Sequence, residues 1–389
     1  MGVKLKEKDS EIVKEVPKKE KVRDISIDLI RVVACMTVII IHLSLQVLNP
    51  AYNRIDWSRL LEKSFLTDGV PLFFMITGFF LVNGRSYKKI WKSTLKRILL
   101  PSFIFVIFVQ LFNPFILNKM SLADNIKNLN FSVTPIIQSI LKADVSYLNA
   151  LCKHLWYIFS YIKIVIWIPI LWCVCKEENN SKLARKIMLG VAIASTILVD
   201  IQKFYILPVV GEINLLTIIP REIMYVLLGY ELFIHKDKIK NNKKLCIISL
   251  IGFILINIIR YRIEILYMVI NSLTDIVDRA NFIEWKYTCL NIFSGVFLFM
   301  FLYSFEIKNE TLSKILVWIS DKTFGIYLIH YLILAKIDLY KFEKIEKFPL
   351  EVLYLILGLI VTGFLSIITV TLIKKLVELL KKVIPNKET

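Results

Sequence analysis

Histidine and cysteine are scarce in this sequence, four and six among 389 residues. Cys35, Cys152, Cys173, Cys175, Cys246 and Cys289 form no CxxC pair and no Cys/His spacing of the kind that holds zinc. No metal centre is therefore expected, and Cys173-x-Cys175, closing an apolar run, reads as filler of that run. A cleavable secretory signal is also missing. Met1 to Asp24 mixes lysines with acids and leads into a full-length apolar run, not a short one with a cleavage site. The first run is expected to stay in the mature protein. No internal repeat is visible, and no further domain is expected after the last run.

What is abundant is apolar sequence. Hydrophobic residues make up 56% of the chain, against roughly 45–50% in a soluble domain, and the mean hydropathy is +0.63. Apolar runs of bilayer length, about 20 residues each, recur between Ile25 and Glu378. The formal charge of +18 would suit a nucleic-acid partner, but the lysines and arginines lie in short stretches between the apolar runs. That pattern is membrane topology, and no nucleic acid is expected.

The runs predict about ten transmembrane helices near residues 25–47, 67–83, 98–117, 154–175, 187–204, 217–234, 245–259, 285–306, 317–336 and 350–373. The fold expected is an all-α polytopic bundle over 25–373, between a polar tail 1–24 and a basic tail 374–389. Pro101 falls in the first turn of the third segment, where proline is tolerated. Counted over alternating loops, one side carries 30 Lys and Arg and the other 13. The richer side includes both ends of the chain, so both termini are expected in the cytoplasm.

Ionisable groups inside a bilayer cost several kcal/mol by most estimates and usually face the bundle or a wet cavity. The first helix, ISIDLIRVVACMTVIIIHL, holds Asp28, Arg31, Thr37 and His42. Arg31 and His42 are eleven residues apart, which puts them on one face, about 20° apart around the axis and about 16 Å along it. Asp28 is close enough to pair with Arg31. Two readings stand. Arg31 either grips phosphate through its planar fork of donors or reaches for lipid headgroups. His42 either takes a proton from an acceptor hydroxyl or is a hydrogen-bonded core residue.

Five stretches, in order, carry a resemblance to a known family. They are ISIDLIRVVACMTVIIIHL, with Arg, ten residues and His; GVPLFFMITGFFL, with Thr77, Gly78 and Phe79; KHLWYIF, with His154 and Trp156; PREIMYVLLGYEL, with Arg221 and Gly229; and DKTFGIYLIHYL, with Tyr327 and His330. The chain resembles the membrane acyltransferase-3 family of bacteria from about Ile25 to its last helix. Thr77 stands where the family more often has serine. The resemblance implies transfer of an acyl group, most often acetyl, from cytoplasmic acyl-coenzyme A to a hydroxyl of a cell-surface or lipid-linked glycan, in the bacterial cell membrane.

On that reading Arg31 and His42 are the catalytic pair. The donor site is Arg31 with Lys92, Lys96 and Arg97. The family's Arg-x-x-Arg after the second helix is absent here, and positive-inside topology alone also explains those three charges. Asp28, Thr77, His154, Trp156, Arg221, Tyr327 and His330 are expected on the acceptor side or in structural roles. Thr323, Tyr327 and His330 share a helix face, which suits an acceptor wall or a polar seam equally. Arg221 with Glu222 also reads as a structural ion pair, and His235 as a solvated loop residue. Acetyl-coenzyme A, the glycan and membrane lipid are the partners expected, with oligomeric state left open. The rival reading is a transporter exporting a glycan or small metabolite, although the sequence has no repeated pattern between its halves and no paired broken helices. A third is a sensory membrane domain without activity.

Overall fold

The computed structural model describes residues 23–43, 48–49, 54–55, 57–81, 86–118, 148, 150–205, 219–270, 289–336 and 348–383. Residues 1–22 of the expected tail 1–24, the end of the chain beyond 383 and most of the loops 118–153, 205–216, 260–284 and 337–349 lie outside them. Among the described residues the chain is helical apart from turns and one ribbon of two short strands. These are β1 (Leu48–Asn49) and β2 (Arg54–Ile55), antiparallel with Leu48 opposite Ile55.

The helices are α1 (Ile25–Leu43), α2 (Trp57–Leu66), α3 (Gly69–Phe79), α4 (Tyr87–Thr94), α5 (Leu100–Asn118), α6 (Trp156–Val174), α7 (Asn179–Tyr205), α8 (Arg221–Ile234), α9 (Lys236–Ile239), α10 (Lys243–Ile270), α11 (Cys289–Tyr303), α12 (Glu310–Ser320), α13 (Thr323–Lys336) and α14 (Phe348–Val383). Local chemistry sets several starts. Asp24 accepts the Ser26 N–H at the head of α1, and Asn309 accepts the Leu312 N–H at the head of α12, capping donors that would otherwise be orphaned.

Among the described residues five helices are long and apolar enough to cross a membrane: Ile25–Leu43, Tyr87–Leu111, Leu151–Val174, Lys243–Leu266 and Phe348–Leu379. Cys289–Tyr303 and Thr323–Ala335 are apolar but shorter. Among the described residues each of the ten expected segments overlaps a helix, and four of the boundary differences have identifiable reasons. The third segment begins earlier, because α4 runs into α5 through a π turn, Leu95–Leu99. Pro101 therefore sits inside a longer helix. It cannot donate to the Arg97 carbonyl, and just ahead of it the register widens so that Leu100 N–H reaches the Leu95 carbonyl.

The seventh segment continues to Ile270, which brings Arg260 and Glu264 into the helix instead of a loop; their ion pair at 3.0 Å makes that burial tolerable. The ninth segment is two helices, α12 and α13, broken at Asp321-Lys322, where Lys374 caps the Asp321 carbonyl at 3.1 Å. The last helix extends through the first ten residues of the expected basic tail.

α1 is the hub, packed against α3, α11, α12, α13 and α14. Its Ile30 and Ala34 join a core with Leu72, Met75, Val226 and Phe299, while Val38 joins Val109, Leu155 and Tyr327, and Ile39 joins Ile326 and Leu355. Large apolar side chains such as Phe103, Ile251, Leu255, Ile360 and Phe364 point outward. Backbone groups satisfied within each helix and an apolar exterior are what a hydrocarbon solvent demands.

Candidate functional site

At one end of α1, Asp28 is 2% exposed and is a hub of donors. It accepts from Ser320 Oγ at 2.6 Å, from Arg23 Nε and Nη2 at 2.7 and 2.8 Å, and from Arg31 Nη1 at 3.4 Å. The expected Asp28–Arg31 pair is present, but it is the longest of these contacts. Arg23, which also reaches Asp321 at 2.8 Å, is the tight partner. Sequence reasoning missed it, because a residue five positions earlier and outside the helix has no periodic signal. Arg31 adds a bond from the same Nη1 to Ser320 Oγ at 3.1 Å. Its Nε and Nη2 take no partner among the described residues, and the side chain is 30% exposed.

Three of the four histidines, far apart in sequence, meet at the other end of α1. The His42 ring centroid is 5.3 Å from that of His330 and 5.2 Å from that of Tyr331. His330 lies 5.1 Å from His154, whose ring stacks on Tyr331 at 5.5 Å. The Tyr327 hydroxyl donates to the His154 carbonyl, and His330 Nδ1 lies 2.7 Å from the Tyr327 carbonyl. A carbonyl only accepts, so His330 Nδ1 carries the proton and Nε2 is the bare nitrogen. That nitrogen is buried and makes no hydrogen bond among the described residues. Tyr327 and His330 thus do work from one face of α13. Thr323 on the same face does not join them, since its hydroxyl is taken by the Ser320 carbonyl at 2.9 Å.

His42 is exposed and lines an open-mouthed cavity, with His154, Trp156, Tyr157, Tyr327, Thr67 and Tyr225 on its walls. The lining is mostly aromatic and apolar with a few convergent polar groups, as in a small-molecule site. His42 and Arg31 share one face of one unbroken helix, about 16 Å apart along the axis.

The remaining expected residues fall elsewhere. Thr77 donates back to the Phe73 carbonyl of its own helix at 3.0 Å. Its neighbour Gly78 and Gly229 form the crossing of α3 and α8. Glu222 accepts from Ser160 at 2.8 Å and Lys163 at 3.2 Å, which ties α8 to α6. Arg221 opens α8 one turn before Tyr225 of the cavity wall. Lys92, Lys96 and Arg97 are exposed on α4 and the π turn, and none of them lines the cavity or joins the Asp28 cluster.

A second buried polar network adjoins the cavity and was not read from the sequence. Arg260 donates to Glu264 (3.0 Å), to the Ser64 carbonyl (3.3 Å) and to Thr67 Oγ (2.7 Å), and Asn291 Nδ2 donates to the same Thr67 Oγ at 3.0 Å. Beside it, Ser294 Oγ donates to Asp68 at 2.6 Å and accepts from Asn257 at 2.8 Å. The available signal was the Arg260–Glu264 spacing of four, which lay just beyond the expected end of its helix. Among the described residues no group of three or more His, Cys, Asp or Glu is arranged to hold a metal ion.

The geometry offers a histidine at an open, largely apolar cavity and, farther along the same face, an arginine with two donor nitrogens unused among the described residues. That pair suits an acid–base reaction at one end and capture of an anionic group at the other. No curated protein and no solved structure matches the chain. A family model for an acyltransferase domain matches residues 24–372. With that match over most of its length and five helices fit to cross a membrane, the chain belongs to the acyltransferase-3 family and is a multi-pass membrane acyltransferase.

Proposed function

We propose that this protein moves an acyl group, acetyl first among them, from cytoplasmic acyl-coenzyme A to a hydroxyl of a cell-surface or lipid-linked glycan. It does so in the bacterial cell membrane, with both termini in the cytoplasm and a ten-helix bundle over 25–373 between the tails 1–24 and 374–389. The observation that carries this reading is the single face of α1 that has Arg31 at one end and the cavity-lining His42 at the other.

Arg31 holds the phosphates of coenzyme A with Nε and Nη2, helped by the basic surface of Lys92, Lys96 and Arg97. The pantetheine arm runs along α1 toward the cavity. His42 takes the proton of the acceptor hydroxyl as its oxygen bonds to the thioester carbonyl carbon. The carbon–sulfur bond then breaks, and the departing thiolate takes that proton back from His42. His154, Trp156, Tyr327 and His330 shape the acceptor side. Asp28 orients Arg31, while Thr77 and Arg221 support the helices around the cavity.

The test is transfer of radiolabelled acetyl from acetyl-coenzyme A into the envelope glycans of membranes holding the full chain. His42→Ala should lower transfer about 100- to 10,000-fold while leaving donor binding intact. His42→Gln keeps hydrogen bonding without useful basicity and should be as inactive. Wild-type rates in His42→Gln would make the histidine a packing residue and end this mechanism. A transporter would instead leave acetylation per glycan unchanged and trap glycan inside the cell.

A further inference from the structure

The hydroxyl of Thr67 is placed as few side chains are. Thr67 sits in the turn between α2 and α3, is 7% exposed, and lines the same cavity as His42. Its oxygen accepts two hydrogen bonds, from Arg260 Nη1 at 2.7 Å and from Asn291 Nδ2 at 3.0 Å. A hydroxyl has two lone pairs and one proton, so both lone pairs are occupied and only the O–H remains to be used. No acceptor takes it among the described residues, and Thr67 is one of the residues that line the cavity. The guanidinium on its oxygen draws electron density away and makes that O–H a stronger donor.

A purely architectural role does not account for this. The same turn is already stapled to α10 and α11 by the neighbouring chain from Asn257 through Ser294 to Asp68, built of an amide, a hydroxyl and a carboxylate. Adding a buried arginine inside a membrane helix costs several kcal/mol, and Glu264 and the Ser64 carbonyl are needed to hold it. The start of α3, next to the turn, is also pressed onto α1, where Gly69 leaves no room for a side chain against Thr37 and the Ala34 carbonyl. The donor is therefore rigidly placed relative to the helix that carries His42.

We infer that Thr67, polarised by Arg260, donates a hydrogen bond to the oxyanion formed when the acyl thioester is attacked in the His42 cavity. This rests on the acyl-transfer reading above. As the acceptor oxygen bonds to the carbonyl carbon, the carbonyl electron pair moves onto oxygen and the acceptor proton moves to His42. When the oxyanion collapses, the thiolate leaves and is protonated from His42. Thr67 keeps its own proton throughout and acts by electrostatic stabilisation, a contribution made without reorganisation because the donor is already fixed.

The experiment compares Thr67→Val, Thr67→Ser and His42→Ala in the full chain, reading acetyl transfer from saturating acetyl-coenzyme A and, separately, acetyl-coenzyme A binding. Thr67→Val, isosteric but without the donor, should lower turnover about 100- to 1,000-fold with donor binding unchanged, whereas Thr67→Ser should keep most of the turnover. A loosened structure would shift donor binding and unfolding temperature together with the rate. Should Thr67→Val not fold, Thr67→Cys takes its place with the same expectation, since S–H is a poor donor. A folded Thr67→Val (or Cys) protein with near-wild-type turnover overturns the oxyanion assignment. If His42→Ala is also active, the acyl-transfer mechanism itself is what has failed.

Discussion

Gly78 of α3 lies directly on the backbone of Val226, and three residues along each helix Gly229 of α8 lies on the backbone of Met75. A β-carbon on Gly78 would collide with the Val226 carbonyl oxygen, and one on Gly229 with the Met75 carbonyl oxygen. The contact is reciprocal, with each helix offering a glycine to the other's peptide. Lipid is as apolar as leucine, so close packing of this kind, not hydrophobic burial, is what joins helices in a membrane.

Gly78→Ala and Gly229→Ala should each separate α3 from α8. Because the obstacle is backbone and not a flexible side chain, the cost should be at least the 1–3 kcal/mol, roughly, of an overpacked core. It is read as a lower unfolding temperature in detergent. Activity should fall too, since α3 carries Val70 and Pro71 of the cavity and α8 carries Tyr225. A variant with unchanged unfolding temperature would mean that the helices do not meet this closely.

Arg31→Ala should weaken acetyl-coenzyme A binding by about 1.5–3 kcal/mol, the worth of a charged hydrogen bond. The protein should stay folded, because Arg23 and Ser320 keep Asp28 satisfied at 2.6–2.8 Å. Arg31→Lys should recover only part of the affinity, having lost the planar two-point grip on phosphate. Wild-type affinity in Arg31→Ala would leave the arginine with a structural role only.

Glu264→Gln strands a buried guanidinium and should cost about 3–5 kcal/mol, as breaking one side of a buried pair does. Replacing both partners by apolar residues, Arg260→Met with Glu264→Leu, should regain most of that stability. Thermal unfolding of the single and double variants separates the two outcomes. The double variant should nonetheless remain slow in acetyl transfer, since Thr67 has then lost the charge behind its hydroxyl.

Topology can be checked directly. A reporter fused after Thr389 should be cytoplasmic, and cysteines introduced in 118–153 should label from outside in a background without the native cysteines. Labelling of 235–244 from outside would contradict the proposed orientation.

The sequence by itself determined that this is a helical membrane protein with a polar face on its first helix. Runs of bilayer length and the eleven-residue step from Arg31 to His42 are local properties, set by helix geometry and the demand that lipid places on backbone polar groups. Motif order was also local, and it led to the right family. Only the tertiary structure decided which distant residues meet. His42, His154 and His330 come from three segments, and their convergence depends on how α1 and α13 pack with the turn before α6. Arg23 as the tight partner of Asp28 and Arg260 behind Thr67 were invisible for the same reason. A buried charge is located by its partners, and those partners lie far away in sequence or beyond the apparent end of a helix.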